Sequence, residues 1–198
     1  MDYQTQPYQS EPPLRSEIGS FIWETIKIVV ISLAIILPIR YFLVQPFFVK
    51  GASMESTFQD GDYIFIDELS YRFGDPGRGD VVVFRYPVDP SQFFIKRIVG
   101  LPGETVDIKK SVVTIFNDEY PNGFVLEEPY LDAGQDTLGS TRVTLKTGEY
   151  FVLGDNRFRS SDSRRWGPLH RGMITGRALI RLWPLDRVAK IPHIDYSD

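Results

Sequence analysis

Cysteine is absent from the 198 residues, and histidine occurs only twice, at His170 and His193. The first absence excludes disulfides, thiol nucleophiles and thiolate-bound metals, and the second leaves too few imidazoles for a histidine-based metal site. Both histidines are read as surface or loop residues. No tract of Lys and Arg stands out against a formal net charge of −4, so nucleic acid is not an expected partner. A glycine-rich phosphate loop is also missing, and the acidic residues are scattered without a ligand spacing, so neither a cofactor nor a metal is expected. Hydroxyls, amines and carboxylates remain for any chemistry.

Hydrophobic residues make up 42% of the chain and aromatics 14%, enough for the core of one ordinary domain. Residues 1–20, rich in Gln, Pro, Ser, Tyr and Glu, lack apolar periodicity and read as a flexible tail, with order expected from Phe21. Residues 21–45 are mostly apolar, interrupted by Glu24, Lys27 and Arg40. A helix over Phe21 to Val44 would be roughly 36 Å long, enough for a bilayer core of about 30 Å, which predicts a single transmembrane anchor. A removable signal would need small residues where bulky Arg40-Tyr41-Phe42-Leu43-Val44 follow; a buried core helix is the other alternative. Arg15 and Lys27 precede the segment and Arg40 and Lys50 follow it, so charge does not choose an orientation.

Residues 46–198 change texture, to short runs of Val, Ile, Phe and Tyr divided by Gly, Pro and Asp. This predicts one antiparallel β domain. Strands are expected at Tyr63 to Ile66, Val81 to Tyr86, Phe93 to Val99, Thr105 to Ile108, Val112 to Phe116, Glu149 to Leu153 and Gly176 to Trp183. Residues 117–148 read as a loop-rich insertion, with Gly134 to Ser140 its most mobile part.

Within this domain Ser53 follows two small residues in Gly51-Ala52-Ser53-Met54, where the backbone can turn and a substrate strand can approach closely. A lone serine is more commonly a cap or a surface residue. Lys96 is less ordinary, because alternation along Phe93 to Val99 places it on the strand face of Phe94 and Ile98. An ammonium enclosed there would lose its proton readily and could act as a base toward a serine hydroxyl. The competing reading is an edge strand from which Lys96 snorkels to water. The polar run Gly154 to Arg164 can hold itself by Asp–Arg pairing and can carry a hydroxyl to a lysine amine.

Five blocks, GASMESTF, GDYIFIDELSYRF, RGDVVVFRYP, FFIKRIVGLPGE and GDNRFRSSDSRRWG, succeed one another between the apolar segment and Trp183. In content and order they resemble the bacterial type I signal peptidases, membrane-bound leader peptidases that use a Ser–Lys dyad. The resemblance implies a mainly β fold, with one N-terminal transmembrane helix followed by an antiparallel β-sheet catalytic domain. It also implies Ser53 as the acyl-forming nucleophile, Lys96 as the general base and Ser160 as a hydroxyl orienting the amine. Asp155, Arg97, Asp162 and Arg164 correspond to a supporting polar network, and Gly154 to a glycine leaving room beside the lysine. The oxyanion would be met by the Ser53 backbone N–H. Phe47, Val49, Met54, Phe58, Ile64, Val83, Phe94 and Ile95 correspond to shallow pockets for small side chains, implying cleavage after Ala-x-Ala; plain core packing is their alternative.

Gly51 stands where some members carry a serine that donates to the oxyanion, and Ser56 and Phe58 where many carry proline and leucine. Loss of the proline implies less rigidity, and the larger Phe58 a smaller first specificity pocket. The implied partners are signal peptides of exported preproteins and the lipid bilayer, close to the secretion translocon. The N-terminus would be cytoplasmic and the β domain on the trans side of the cell membrane. A dedicated-substrate Ser–Lys protease and an inactive membrane-tethered β module that binds export substrates are the competing functions.

Overall fold

The structure, a computed structural model, describes residues 14–42, 44–192, 194 and 196. The chain divides into two compact units, Met1–Tyr41 and Phe42–Asp198. Helix α1, Leu14–Phe42, accounts for the described part of the first. It begins seven residues before Phe21, so residues 14–20 are helical rather than part of a tail, while residues 1–13 lie outside the described residues. Within it Gly19–Leu37 is long and apolar enough to cross a membrane, with a mean hydropathy of 2.1 and no buried share.

The second unit is built from antiparallel strands. In chain order these are β1 Val44–Phe48, β2 Tyr63–Asp67, β3 Val81–Arg85, β4 Phe93–Gly100, β5 Thr105–Lys109, β6 Val112–Phe116 and β7 Phe124–Val125. They continue with β8 Thr141–Thr144, β9 Glu149–Leu153, β10 Leu169–His170, β11 Ile174–Trp183 and β12 Ala189–Lys190. Two short helices, α2 Ser70–Phe73 and α3 Ser163–Trp166, interrupt them. Among the described residues the main sheet runs β1-β2-β11-β3-β4-β9-β10, with β12 added alongside β11, and a smaller sheet runs β7-β6-β5-β8.

Expected strands all form, within a residue or two at their ends. β1 escaped the sequence reading because Pro46 interrupts it; proline is tolerated there because β1 sits at the sheet edge. The insertion is more structured than expected, since β8 pairs with β5 and β7 with β6. Its segment Gly134 to Ser140, expected to be the most mobile part, contains buried Thr137, a β-bridge partner of Ser111 that also accepts a hydrogen bond from Arg157.

The continuous apolar runs on β3 and β9 are explained by burial on both sheet faces. On β3, Val81 and Val83 enter one core with Val49, Met54, Phe58, Ile64 and Ile66, while Val82 and Phe84 enter another with Ile98, Tyr150, Val152 and Leu169. On β9, Phe151 and Leu153 face a third core, under the smaller sheet. β4 lies between β3 and β9, Lys96 pairing with Val82 and Arg97 with Leu153. The edge-strand alternative for Lys96 is therefore excluded.

Candidate active site

Ser53 is carried by a tight turn between β1 and β2. Gly51 enters it at φ 86°, a left-handed conformation that favours glycine, and its N–H donates to Asp60 Oδ1 at 2.7 Å. The turn then closes by Glu55 N–H to Ala52 O and Phe58 N–H to Met54 O. Met54 and Phe58, four residues apart, fall on one side of this turn and plug the core beneath it. From the far side Arg181 donates to Thr57 O at 2.9 Å, itself lying near buried Asp62 at 3.6 Å.

Lys96 reaches this turn from the middle of β4. It is 3% exposed, and its Nζ donates to Ser53 Oγ at 2.7 Å and to the Ile95 carbonyl at 2.7 Å. The Phe94 ring lies 5.4 Å from the same nitrogen, in keeping with the shared strand face. Burial pulls its pKa down from 10.5 to about 8, with the charges of Asp162 and Asp155 opposing part of that fall. An amine so placed is proton-free in a useful fraction near neutral pH and points at a hydroxyl.

The loop after β9 closes the site. Asn156 N–H donates to the Ser53 carbonyl at 3.1 Å, so loop and turn hold each other. Gly154 sits where any β-carbon would run into Ser160 Oγ and the Ser53 carbonyl, which explains its identity better than space beside the lysine does. Arg97, 1% exposed, grips Asp155 through Nε to Oδ1 at 2.9 Å and Nη2 to Oδ2 at 2.7 Å. Asp162 accepts from Arg164 Nε at 2.8 Å and Nη2 at 2.9 Å, and from Gly154 N–H at 3.2 Å. Burial would raise the Asp162 carboxyl, but Arg164, Ser160 and the Gly154 N–H together outweigh it and hold the group below its ordinary range.

One implied role is not met in this arrangement. Ser160 is buried against Gly154, and no hydrogen bond joins its Oγ to the Lys96 amine. It biases Asp162 toward the ionised form, while the Ile95 carbonyl is what orients the amine. A backbone carbonyl leaves no mark in the sequence, so this partner could not have been read there.

A family model for signal peptidase, peptidase S26, matches residues 22–183. The chain belongs to this family. Among its curated relatives, a probable signal peptidase I-1 of Synechocystis is 37% identical over 175 residues, 84% of this chain and 85% of its own length. The signal peptidase I of Leptolyngbya laminosa is 36% identical over 195 residues, covering 94% of this chain and 90% of its own. That of Pseudomonas aeruginosa is 32% identical over 212 residues, covering 81% and 73%.

In this member of the signal peptidase family a cleft of about 590 Å³ opens beside Ser53 and Lys96. Of the residues expected to line it, Phe47, Val49, Ile64, Val83, Phe94 and Ile95 do. Met54 and Phe58 do not. They are 1% and 0% exposed, and their side chains anchor the turn from below, so the larger Phe58 fills core rather than narrowing the cleft. Phe48, Lys50, Ala52, Gln92, Phe93, Arg159 and Ser161 line it without having been singled out.

Also missed was a second layer behind the loop. Buried Arg157 ion-pairs with Glu128 and donates to Gly154 O at 3.1 Å. Tyr130 Oη donates to Glu128 at 2.7 Å, and the Arg97 guanidinium lies 4.1 Å from the Tyr130 ring centroid. The density of arginine in the last block was a signal for Arg157; nothing marked Glu128 or Tyr130 inside a stretch read as loop. His170 is exposed, its Nδ1 accepting Gly172 N–H, and His193 lies outside the described residues. Among the described residues no group of three or more His, Asp or Glu side chains is placed to hold a metal ion.

Proposed function

We propose that the chain is a membrane-anchored endopeptidase that removes signal peptides from exported preproteins, cutting after Ala-x-Ala sequences. The observation that carries the mechanism is the 2.7 Å contact between a buried, pKa-depressed Lys96 amine and Ser53 Oγ. Neutral Lys96 takes the Ser53 proton as Oγ attacks the scissile carbonyl. The Ser53 N–H faces the developing oxyanion, and the protonated lysine then gives its proton to the departing amine. Lys96, neutral again, draws a proton from water as that water attacks the acyl-enzyme, and returns it to Ser53 Oγ as the acyl–Oγ bond breaks, releasing the product acid and the free serine. Asp155, Arg97, Asp162, Arg164 and Gly154 hold the turn, the strand and the loop in register for these steps.

Small apolar contacts from Phe47, Val49, Ile64 and Val83 favour alanine-sized substrate side chains. Gly19–Leu37 supplies the membrane span, with the N-terminus cytoplasmic and the β unit on the trans side, near where translocated chains emerge. Exposed Phe48, Tyr63 and Trp183 are neighbours: the first two rings lie 5.0 Å apart and Tyr63 pairs with Trp183 across the sheet. This apolar face suits contact with lipid.

The deciding experiment is cleavage of a preprotein bearing an Ala-x-Ala site by the detergent-solubilised chain, beside Lys96→Ala, with both folds checked by circular dichroism. Cleavage at that site by the parent and none by the folded variant is the expected result. A folded parent that never cuts would leave a substrate-binding module as the better reading.

A further inference from the structure

The cleft beside Ser53 carries positive charge with no carboxylate facing it. Lys50 and Arg159 line it together with Gly51, Ala52, Ser53 and Ser161, and among the described residues no Asp or Glu does so. Lys96 also lines the cleft, but its amine is held by Ser53 Oγ and the Ile95 carbonyl and is neutral in the form that cuts, so it is not free to pair with a substrate carboxylate. Lys50, in contrast, is exposed and joins no ion pair among the described residues.

Arg159 has a partner it can leave. Its side chain is 66% exposed, and its contact with Glu55 is long, at 3.4 Å. Glu55 also accepts from Asn156 Nδ2 at 2.9 Å, so it keeps a hydrogen bond when Arg159 turns toward the cleft. An exposed pair of this kind contributes little to stability, and exchanging it for a substrate carboxylate costs little. Apart from Gln92 and Lys96 the rest of the lining is apolar, and a concave site with such walls concentrates the field of the charges at its rim.

We infer that Lys50 and Arg159 form an anion-preferring subsite, selecting peptides that carry Asp or Glu close to the scissile bond. The inference rests on the reading that Ser53 is the nucleophile of a peptidase, and it adds a second, electrostatic criterion to the small-residue requirement. Both cations are solvent-facing, so the preference is about three- to tenfold at low salt and fades in 1 M salt, where the screening length is about 3 Å.

The test uses the full chain in detergent with pairs of peptides that share an Ala-x-Ala site and differ only by Glu or Gln, placed in turn at each position flanking the cut. The ratio of kcat/KM for Glu over Gln is compared for the parent, for Lys50→Gln with Arg159→Gln, and for Lys50→Glu with Arg159→Glu. At one or more positions the parent ratio is expected at about three to ten, the Gln variant near one and the Glu variant below one, with salt moving the parent toward one. A parent ratio near one everywhere, or the same ratio in all three proteins, overturns the subsite. Loss of binding to phosphatidylglycerol vesicles by the Glu variant, with its peptide ratio unchanged, assigns the charges to lipid and also overturns it. If the parent cuts nothing, the peptidase reading fails by itself, and the same Glu-to-Gln comparison made on peptide dissociation constants decides the subsite.

Discussion

Arg97 and Asp155 meet side-on, through bonds of 2.9 and 2.7 Å, and each is the direct chain neighbour of a residue at the centre of the site: Arg97 follows Lys96 and Asp155 follows Gly154. This buried pair therefore joins the strand that carries the amine to the loop that holds the Ser53 carbonyl. Arg97 Nη1 also donates to Gly79 O at 2.9 Å, and Thr57, in the serine turn, donates to Asp155. Four separate stretches of chain meet at these two charges.

Breaking that pair from one side leaves the other charge buried and uncompensated. Asp155→Ala or Arg97→Ala is expected to lose about 3–5 kcal/mol of stability, and the double replacement less than the sum of the two. Urea unfolding of the four proteins in a common detergent reads both statements.

A lysine base with a pKa of about 8 gives a defined pH dependence. The kcat/KM for peptide cleavage should climb about tenfold per pH unit at acidic and neutral pH and level off above about 8. Asp162→Asn removes the larger of the two negative charges that support the Lys96 cation, so the limb of the profile should move to lower pH even as the rate falls. An unmoved limb would mean that Lys96 is not the group being titrated.

Stability follows the same group with the opposite logic. The unfolded chain holds the Lys96 proton up to about pH 10.5 and the folded chain only up to about 8, so folding works against that proton at neutral pH and stability rises with pH between those values. Lys96→Met should thus be more stable than the parent at pH 7 by up to about 3 kcal/mol, the advantage disappearing toward pH 10.5. Denaturant titrations at pH 7 and pH 10 measure the difference directly.

Gly154→Ala would press a methyl group into Ser160 Oγ and the Ser53 carbonyl. Peptide cleavage should fall by about 10²-fold through displacement of the serine turn, with a stability loss of about 1–3 kcal/mol. Retained kcat in the folded variant would show that loop and turn are not coupled as the geometry indicates.

Ser56 has a φ of 89°, with its hydroxyl donating to Tyr130 O at 3.1 Å. Proline is locked near −65°, so Ser56→Pro should destabilise this chain by more than about 1 kcal/mol, although many family members carry proline there. Thermal unfolding of Ser56→Pro beside Ser56→Gly, which accepts the positive φ, separates backbone conformation from the lost hydroxyl.

The sequence by itself determined what depends on neighbours along the chain. Period-two patterning and Gly/Pro punctuation marked the main strands, a long apolar run marked α1, and five ordered blocks marked Ser53, Lys96 and the loop from Gly154 to Arg164. Tertiary structure alone decided the remainder, because it turns on which distant segments meet. Met54 and Phe58 became core rather than cleft, since the turn's closure points both downward. The Lys96 amine is oriented by the Ile95 carbonyl, a backbone group identical in every residue type. Glu128 and Tyr130, inside a stretch that reads as loop, brace the loop from Gly154 to Arg164 because the insertion folds back onto Arg157 and Arg97. Lys96 acquires its depressed pKa from burial between β3 and β9, which local pattern can suggest and only packing can set.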